Sequence, residues 1–432
     1  MSKTAADFRL DGIYTQRQDG FYMQRVKLPA GVISAGQART VADVSTTFGQ
    51  GTVHLTSRGS MEIHWLKEPD LPRIKRELAK TGLTSRGACG GAVRGITCGS
   101  QGAQGFPALE SLAWRLHRHF TGNPRFERLP KKFKIGIEAD VVGGRHLIQD
   151  VGLVLAGLED GRARYDVWIA GGLGRAPRAG FLLVGDLPEE RIIPLIEAVV
   201  TVYAAHAPPP QRLKYVAAQL GEEELRRLIG AEPGYGEELP AVSGFTEQII
   251  PPSSGRTRLL LPVFAGNLSA DQLRRIAGAA DLHADGALMV TANQDIALSL
   301  AEGADPGAVA AELFDSTGLP AVVGPHRILR VCPGSHECRM GLAATREVAA
   351  LVADAVPEAL QHLEWAICGC QNSCSQPQLA AVGIVAARLP ADAGGAKTPR
   401  FDIYRRRQAG LGEKIHEGLT SEELVATLKG ID

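Results

Sequence analysis

Two short stretches, GVISAGQ at residues 31–37 and GNLSADQ at residues 266–272, decide the fold of this chain because they share one pattern at a separation of 235 residues. HLTSRGSMEI at 54–63 meets MVTANQDIAL at 289–298 at the same separation. Three weaker matches follow in the same order: TGL at 81–83 with TGL at 317–319, QDVGLVLAG at 149–157 with LAAVGIVAA at 379–387, and YDVW at 165–168 with FDIY at 401–404. Five matches in the same order indicate an internal duplication.

Each copy predicts the same order of elements. An apolar strand is followed by a helix that opens with Ser-x-x-Gln, a pattern that resembles a capping box, and then by two strands and a second helix. This β-α-β-β-α unit resembles half of a ferredoxin-like motif. We therefore predict an α+β fold in which two ferredoxin-like halves pair as one central domain, accompanied by two related α/β domains.

The predicted boundaries follow from the repeat and from one shift in composition. Residues 205–245 are rich in Pro and Gly, which predicts a linker between the halves, with one helix in QRLKYVAAQLGEEELRRLIG. The predicted units are a first ferredoxin-like half at 8–75, a first α/β domain at 76–204, the linker at 205–245, a second half at 246–310, and a second α/β domain at 311–432.

Composition excludes several classes of function. The 432 residues carry 47 Lys and Arg against 47 Asp and Glu, so no overall positive charge favours nucleic acid. The first residues have no apolar core of a signal peptide, and the apolar runs are too short to span a bilayer. Seven cysteines, mostly clustered, indicate metal chemistry in a reducing compartment rather than a set of disulfides. We expect a cytoplasmic protein with no nucleic-acid or membrane partner.

Five of the seven cysteines lie between Arg330 and Gly383. RVCPGSHECRMG contains a C-x5-C pair, and ICGCQNSCSQPQLAAVGI contains a C-x3-C pair with Cys368 two residues ahead. The apolar spacing between the pairs predicts a helix flanked by two thiol-bearing loops. Four converging thiolates suit a soft metal centre, either zinc or an iron–sulfur cluster. C-x5-C fits zinc spacing poorly, but the spacing alone leaves a cluster, zinc and unligated cysteines open.

These cysteine loops, together with the Val-Gly-Ile strand that follows them, resemble the haemoprotein subunit of sulfite and nitrite reductases. The resemblance implies a [4Fe–4S] cluster and a sirohaem, with cluster ligands at Cys332, Cys338, Cys370 and Cys374, and with Cys374 also binding the sirohaem iron. Gln371 stands where the family usually has Pro, and Cys368 where it usually has Thr. Neither change removes a ligand, and we expect Cys368 to be a small buried residue rather than an alternative ligand.

The same resemblance assigns basic residues to a site for anions. YMQRVKLPAGV, LTSRGSMEIH, GACGGAVRGITC and LPKKFKIGIE match the active-site segments of the family. The implied substrate-binding and catalytic residues are Arg25, Arg94, Lys132 and Lys134, and the implied cofactor-binding residues are Arg58, Gly171, Gly172, Asn293, Gln294 and Cys374. Taken singly, each cation is ordinarily a solvated charge on a strand. Four matches in family order favour the functional interpretation.

The residues outside these motifs have plainer expectations. Cys89 and Cys98 cannot complete a second four-thiolate site by themselves, so we expect them to be packing residues. His64 is expected in the core or on the surface. His326 and His336 are near the cluster loop, either as supporting donors or as exposed loop residues. Arg405–Arg407 are expected either to bind cofactor carboxylates or to form a solvated turn.

The resemblance implies a six-electron reduction of sulfite to sulfide. Lys134 favours sulfite because many plant-type nitrite reductases carry Asn at that position. The alternatives are reduction of nitrite to ammonia, a cluster-containing monooxygenase resembling precorrin-3B synthase of cobalamin biosynthesis, and a non-catalytic carrier of electrons or tetrapyrrole. The chain has no appended ferredoxin cluster, Rossmann fingerprint or flavin motif. A separate electron donor, such as ferredoxin or a flavoprotein, is therefore expected.

Overall fold

The computed structural model describes residues 4–159, 161–239, 242, 255–324, 326–391, 395 and 397–431. The helices are α1 (Ala5–Leu10), α2 (Ala35–Phe48), α3 (Leu71–Lys80), α4 (Phe106–Phe120), α5 (Ile192–His206), α6 (Leu213–Leu220), α7 (Glu222–Gly230), α8 (Ala270–His283), α9 (Pro306–Thr317), α10 (Thr345–Ala355) and α11 (Ser421–Lys429). The strands of the first copy are β1 (Ile13–Thr15), β2 (Phe21–Val26), β3 (Val32–Ser34), β4 (Thr52–Leu55), β5 (Met61–Lys67), β6 (Thr97–Cys98), β7 (Ile135–Glu138), β8 (Val151–Glu159), β9 (Arg162–Ile169) and β10 (Phe181–Pro188). Those of the second copy are β11 (Arg258–Leu261), β12 (Asn267–Ser269), β13 (Ala287–Val290), β14 (Ile296–Ser299), β15 (Leu329–Val331), β16 (Trp365–Cys368), β17 (Val382–Arg388), β18 (Arg400–Arg405) and β19 (Glu413–Leu419).

The two halves of the central domain exchange strands. Strand β12 of the second half completes the sheet β1-β2-β5-β4-β12, and β3 of the first half completes the sheet β11-β14-β13-β3. Leu268 pairs with Val53 in the first sheet, and Leu288 pairs with Ile33 in the second. Leu268 is equivalent to Ile33, and Leu288 is equivalent to Val53, so the second pairing repeats the first with the two copies exchanged. The duplication and the pairing of the halves are both confirmed.

The helices that open with Ser-x-x-Gln are capped as predicted. Ser34 accepts from the backbone of Gln37, and Ser269 accepts from that of Gln272, while each glutamine carboxamide oxygen accepts from the backbone of its own serine. Each glutamine also donates from Nε2 to a carbonyl oxygen after the second helix of its half, at 2.9 Å in both cases. Helices α2 and α8 share one apolar core with both sheets, so the central domain is a single packed unit.

The two α/β domains have the same topology. One sheet runs β10-β9-β8-β7-β6 and the other runs β15-β16-β17-β18-β19. In each, the first three strands in chain order are parallel and the last two are added antiparallel. The loops that follow the first two parallel strands of either sheet therefore lie at one edge, where the first sheet places Cys98 and the second places Cys332 and Cys370.

The predicted linker differs from expectation in two ways. QRLKYVAAQLGEEELRRLIG forms two helices, α6 and α7, because Gly221 between them has a φ of 84°, which no right-handed helix can contain. The segment is also not a free connector. Leu213, Leu225 and Ile229 are buried in the core of the first α/β domain. Of the predicted linker, residues 240, 241 and 243–245 lie outside the described residues.

The most apolar helix, α5, belongs to a globular core. It is 15 residues long, and its apolar side, including Leu195 and Val199, is buried against the first α/β sheet. In the described ranges, no helix combines the length and the apolar character that a membrane crossing needs.

The junction between the halves depends on two equivalent glycines. Gly31 has a φ of 80°, and a Cβ there would stand 2.2 Å from the carbonyl oxygen of Val290; Gly266 has a φ of 63°, and a Cβ there would stand 2.6 Å from that of Leu55. Val290 and Leu55 are themselves equivalent positions. Gly31 of the first half therefore packs against the last residue of β13, and Gly266 of the second half packs against the last residue of β4.

Replacing Gly31 by Ala is expected to lower the free energy of unfolding by about 3 kcal/mol or more, because backbone strain is joined by a clash with another main chain. Gly51→Ala is the matched control, because Gly51 has a φ of 70° with open space around it. The alanine at this position should lower the free energy of unfolding by only about 1 kcal/mol, from its left-handed conformation alone. Shifts of the urea midpoint measure both. Equal shifts for the two variants would show that the approach of the halves is not constrained at Gly31.

Candidate active site

One cavity of about 390 Å³ lies between the central domain and the two α/β domains. The first copy contributes strand β2 and the segments that precede β5, β6 and β7. The second copy contributes Gln294 and the two cysteine loops. Of the thirteen predicted site residues, ten line this cavity: Arg25, Arg58, Arg94, Lys132, Lys134, Gln294, Cys332, Cys338, Cys370 and Cys374.

The cysteine loops are held against each other through glycines. Cys332 follows β15, and Cys370 follows β16 after one glycine. A Cβ on Gly341 would stand 2.2 Å from the carbonyl carbon of Gly334, and one on Gly369 would stand 2.8 Å from the Cα of Gly334. The backbones therefore touch directly, and their packing fixes the positions of the cysteines. As predicted, a helix, α10, lies between the two loops.

The four predicted ligand thiols share one cavity, because Cys332, Cys338, Cys370 and Cys374 all line it. Four cysteine thiolates are the ligand set of a [4Fe–4S] cubane. Burial, followed by the neighbouring Cys374 sulfur, raises the pKa of Cys338 to about 12. Such a thiol becomes a thiolate ligand only when a metal displaces its proton.

Cys368 lies directly behind the cavity. It is 1 % exposed and packs with Cys332, Val385 and Tyr404. Its Sγ accepts a hydrogen bond from the backbone N–H of Cys374 at 3.1 Å. This contact agrees with the expected buried position and adds a polar contact to the Cys374 loop.

The cavity has a strong excess of positive charge. Eight Arg and Lys side chains line it, against the two carboxylates Glu62 and Glu337. Glu337 is already paired with Arg346 outside the cavity, at 2.8 and 2.9 Å. A site with this balance of charge favours a polyanionic occupant, because buried charges are costly unless they are paired. Sirohaem, with its eight carboxylates, fits that requirement.

Two of the predicted substrate ligands have partners within the protein. Arg25 binds the Glu62 carboxylate through Nε at 3.0 Å and also through Nη2. Burial alone would lower the pKa of Arg25, but the Glu62 charge raises it above its ordinary value. Arg94 donates to the carbonyl oxygens of Ala88 and Gly90, and its buried Nε has no partner in the described structure.

Lys132 and Lys134 present free ammonium groups instead. Both precede β7, which starts at Ile135, and they flank buried Phe133, so they lie on the same face of an extended segment as predicted. Within the described part of the chain, neither ammonium makes a hydrogen bond or an ion pair. Burial lowers the pKa of Lys132 to about 8, although the Cys374 thiolate opposes the shift. Burial, then Arg58 and Lys132, lowers the pKa of Lys134.

Arg58 is held in place by two hydrogen bonds within the first copy. Its guanidinium donates to Oε1 of Gln149 at 3.0 Å and to the carbonyl oxygen of Gly95 at 2.9 Å. Burial, followed by the charge of Arg94, lowers its pKa to about 9. A carboxylate bound to Arg58 would offset both the burial of its charge and the repulsion from Arg94. This agrees with the predicted role of Arg58 in binding the cofactor.

Three predicted residues do not line the cavity. Gly171 and Gly172 are close to protein atoms: a Cβ on the first would stand 2.0 Å from the carbonyl oxygen of Leu147, and one on the second 2.3 Å from a guanidinium nitrogen of Arg212. Asn293 accepts hydrogen bonds from Arg145 at 2.8 Å and from Arg330 at 3.2 Å. Their predicted contacts with the cofactor stay predictions.

Gln294 lines the cavity but has a full set of protein partners. Its Nε2 donates to the carbonyl oxygens of Leu55 and Val331, at 2.7 and 2.9 Å, and its Oε1 accepts from the backbone N–H of Val331 at 2.6 Å. The side chain therefore connects the first half to the strand that leads into Cys332.

Sequence reasoning missed several contributors. Asp150 is fully buried, accepts from the backbone N–H of Lys134 at 2.8 Å and pairs with Arg212 at 2.7 Å. Arg212 lies in the predicted linker, where no local pattern marks it. His54 also lines the cavity. His64, expected in the core or on the surface, lines it too and contacts Glu62 at 3.3 Å. The alternation of β5 was the only available signal for His64.

The remaining candidates lie outside the cavity. Arg405 and Arg406 donate to backbone carbonyl oxygens of the segment before β17. His326 pairs with Asp295 at 2.9 Å, and His336 pairs with Glu347 at 2.7 Å. Cys89 and Cys98 are buried, as expected of packing residues, and neither lines the cavity.

A duplicated α+β fold with four thiols and a cationic cavity between its domains defines a metal-cluster oxidoreductase that acts on anions. The model of the nitrite/sulfite reductase ferredoxin-like half domain matches residues 14–81 and 258–313, and that of the nitrite and sulphite reductase 4Fe-4S domain matches residues 100–235. The chain belongs to the nitrite and sulfite reductase family. Membership implies a sirohaem and a [4Fe–4S] cluster.

Some relatives of this chain are named nitrite reductases and others sulfite reductases. The chain is 27 % identical to the assimilatory ferredoxin-dependent nitrite reductase of Haloferax mediterranei over 98 % of this chain and 81 % of that protein. It is 26 % identical to the ferredoxin sulfite reductase of Mycobacterium tuberculosis strain H37Rv over 96 % and 83 %. The solved structure of Mycobacterium tuberculosis NirA superimposes with a TM-score of 0.83 at 24 % identity, covering 98 % of this chain and 85 % of that one. That likeness supports the fold.

Lys132→Met is expected to change the pH dependence of stability in protein prepared without cofactors. Between about pH 8 and 10.4, Lys132 is protonated in the unfolded protein but has lost its proton in the folded protein. The free energy of unfolding therefore rises with pH in this range, by on the order of 1 kcal/mol. The variant should lose this part of the rise. Thermal midpoints at pH 7 and pH 10 measure it, with Lys131→Met, exposed on the other face, as the control. A rise unchanged in Lys132→Met but reduced in Lys131→Met would contradict the assignment.

Cys370→Ala and Cys368→Ala are expected to differ in iron content. Loss of a ligand at Cys370 should remove the cluster, whereas Cys368→Ala should keep four iron and four sulfide per chain because it removes only the acceptor behind Cys374. Iron and acid-labile sulfide assays on anaerobically purified protein measure both. A cluster retained by the first variant and lost by the second would make Cys368 the ligand.

Proposed function

We propose that this chain reduces sulfite to sulfide in a six-electron reaction at a sirohaem coupled to a [4Fe–4S] cluster. The observation that carries the proposal is that Lys132 and Lys134, in a cavity shared with Cys374, have ammonium groups without a hydrogen-bond or ion-pair partner among the described residues. Their pKa values, lowered by burial, mean that an anion arriving in the cavity gains two strong donors.

The protein's own residues have distinct tasks in this proposal. Cys332, Cys338, Cys370 and Cys374 hold the cluster, and Arg58 binds carboxylates of the sirohaem. Lys132 and Lys134 bind the substrate oxygens and donate protons as these leave as water. Arg25 and Arg94 also bind the substrate oxygens once the anion replaces their present contacts, which are with Glu62 and with the Ala88 loop. The cofactors would transfer the electrons of the separate donor to the substrate. The cations are already in place when the anion arrives.

Asp150 supports these lysines without touching the cavity's occupant. It holds the backbone of Lys134 from behind, and Arg212 holds Asp150. Because Oδ2 of this buried carboxylate binds both the Lys134 backbone and Arg212, it helps fix the extended segment before β7 that carries both lysines.

Nitrite is a second candidate for a specific reason. The Glu62 carboxylate neutralises Arg25 inside the cavity, which reduces the positive charge available to an incoming anion. A cavity with less positive charge discriminates less against a monoanion such as nitrite. Relatives of similar identity are named for either substrate, so the names do not decide between them.

We also propose a separate electron donor and a cytoplasmic location. The relatives are named as ferredoxin-dependent enzymes, which favours a ferredoxin over a flavoprotein as the donor. Free cysteines that must be metallated need a reducing compartment, which favours the cytoplasm.

Visible absorption of anaerobically purified protein, before and after sulfite and then nitrite, tests the proposal. We expect a Soret band with a red-shifted chlorin band that moves when sulfite binds, and turnover with a larger kcat/KM for sulfite than for nitrite. A larger value for nitrite would make the second candidate correct. Cluster absorption alone, unresponsive to either anion, would contradict the reductase and favour the precorrin-3B synthase-like alternative.

Lys134→Asn is expected to shift the preference between the anions. Loss of one preorganised cation should lower kcat/KM for sulfite about 100-fold and leave that for nitrite within about tenfold. Lys131→Asn, in the same segment but exposed, is the matched control and should change neither by more than about twofold. An equal loss for both substrates in Lys134→Asn would show that this position does not select between them.

A further inference from the structure

Lys27 is a buried cation that the proposed reaction does not yet use. It follows strand β2, is 3 % exposed and lines the cavity. Its Nζ donates to Oγ1 of Thr121 at 2.8 Å and makes a longer contact with the carbonyl oxygen of Val93 at 3.4 Å. A lysine in this position faces the substrate space on one side and a hydroxyl group on the other.

The hydroxyl group continues the contact away from the cavity. Thr121 directly follows helix α4, and its Oγ1 lies 3.3 Å from Nδ1 of His117, one turn earlier in the helix. Both residues are partly exposed, unlike Lys27. Three exchangeable groups therefore form an unbroken line from a wall of the cavity to the protein surface.

We propose that Lys27, Thr121 and His117 form a proton relay that supplies the cavity from the surface through helix α4. The inference rests on the proposed function, because reduction of sulfite to hydrogen sulfide consumes eight protons with its six electrons and releases three waters. Lys132 and Lys134 can each donate only once before they must recover a proton, so eight protons need a route that resupplies the donors.

The transfers along the line balance as one concerted shift. The Lys27 N–H bond breaks as its proton forms an O–H bond on a departing substrate oxygen. The neutral amine takes the proton of the Thr121 hydroxyl, and that oxygen takes the proton from Nδ1 of His117. Nε2 of His117 takes a proton from surface water, so one proton has entered and every relay residue is restored except for the His117 tautomer. Exchange with solvent resets the ring.

The charges around the relay suit this task. Burial, together with the charges of Arg94 and Arg58, lowers the pKa of Lys27 to about 7, and Glu127 opposes the shift. An amine with a pKa near neutrality both gives and recovers a proton at moderate cost. Burial, then Lys27 and Arg118, lowers the pKa of His117 to about 4. His117 is therefore neutral, and its two tautomers differ only in which nitrogen donates.

Thr121→Val, which keeps the shape of the side chain and removes the hydroxyl group, tests the relay. With reduced viologen as the donor, we expect kcat to fall about tenfold, KM for sulfite to stay within about twofold, and the loss to grow with pH as proton supply becomes limiting. Thr121→Ser should restore the wild-type rate. Thr40→Val is the control and should match the wild type; Thr40 is a half-buried threonine on α2 that donates to the carbonyl oxygen of Gly36.

A second readout does not depend on turnover. In protein labelled with 15N-histidine, the ring nitrogens of His117, identified by their loss in His117→Gln, should show Nδ1 hydrogen-bonded in the wild type and in Thr121→Ser. Thr121→Val should shift the Nδ1 resonance and change the tautomer ratio, because the partner at 3.3 Å is gone.

The two readouts separate the possible failures. If Thr121→Val keeps the wild-type kcat and pH profile, the relay is wrong while the reductase stands. If neither the wild type nor any variant reduces sulfite, the proposed function is wrong. The His117 resonances then decide whether the contacts from Lys27 through Thr121 to His117 exist. Resonances that are identical in Thr121→Val and the wild type would overturn the relay in either case.

Discussion

Each half of the duplicated chain lends one strand to the sheet of the other half, and the rest of the structure depends on this exchange. The pairs Leu268–Val53 and Leu288–Ile33 are held in register by glycines that let the two main chains approach at Val290 and Leu55. Neither half can bury its own face alone, so the two share one core. The cavity lies where the α/β domains meet this central unit, and its walls therefore come from both copies.

The two copies have diverged into complementary roles. The thiols that surround the cavity belong to the second copy, and most of the cations belong to the first. At the position equivalent to Arg58, the second half carries Asn293, which accepts from Arg145 and Arg330; Arg330 also pairs with Glu364 at 3.0 Å. These arginines therefore contact protein groups and do not line the cavity. The two copies contribute different groups, and a symmetric fold supports one site.

The cavity tolerates that surplus because its cations are held from behind. Glu62 neutralises Arg25, Asp150 and Arg212 fix the segment that carries Lys134, and the carbonyl oxygens of Ala88 and Gly90 bind Arg94. Lys27 is connected outward to Thr121 and His117. Burial and mutual repulsion lower the pKa of several of these groups, so a polyanionic cofactor stabilises the cavity as much as the cavity binds the cofactor.

The sequence by itself determined the duplication, the capped helices, the pairing of the halves and the positions of the four clustered cysteines, because each depends on local spacing or on a repeat that is visible in one dimension. It also placed Lys132 and Lys134 on one face. Only the tertiary structure showed that Arg25 and Arg94 have protein partners, that Gly171, Gly172 and Asn293 lie outside the cavity, and that the predicted linker supplies Arg212 to Asp150. These contacts join residues far apart in the chain, and their partners are decided by packing and by the balance of buried charge, which no local pattern records.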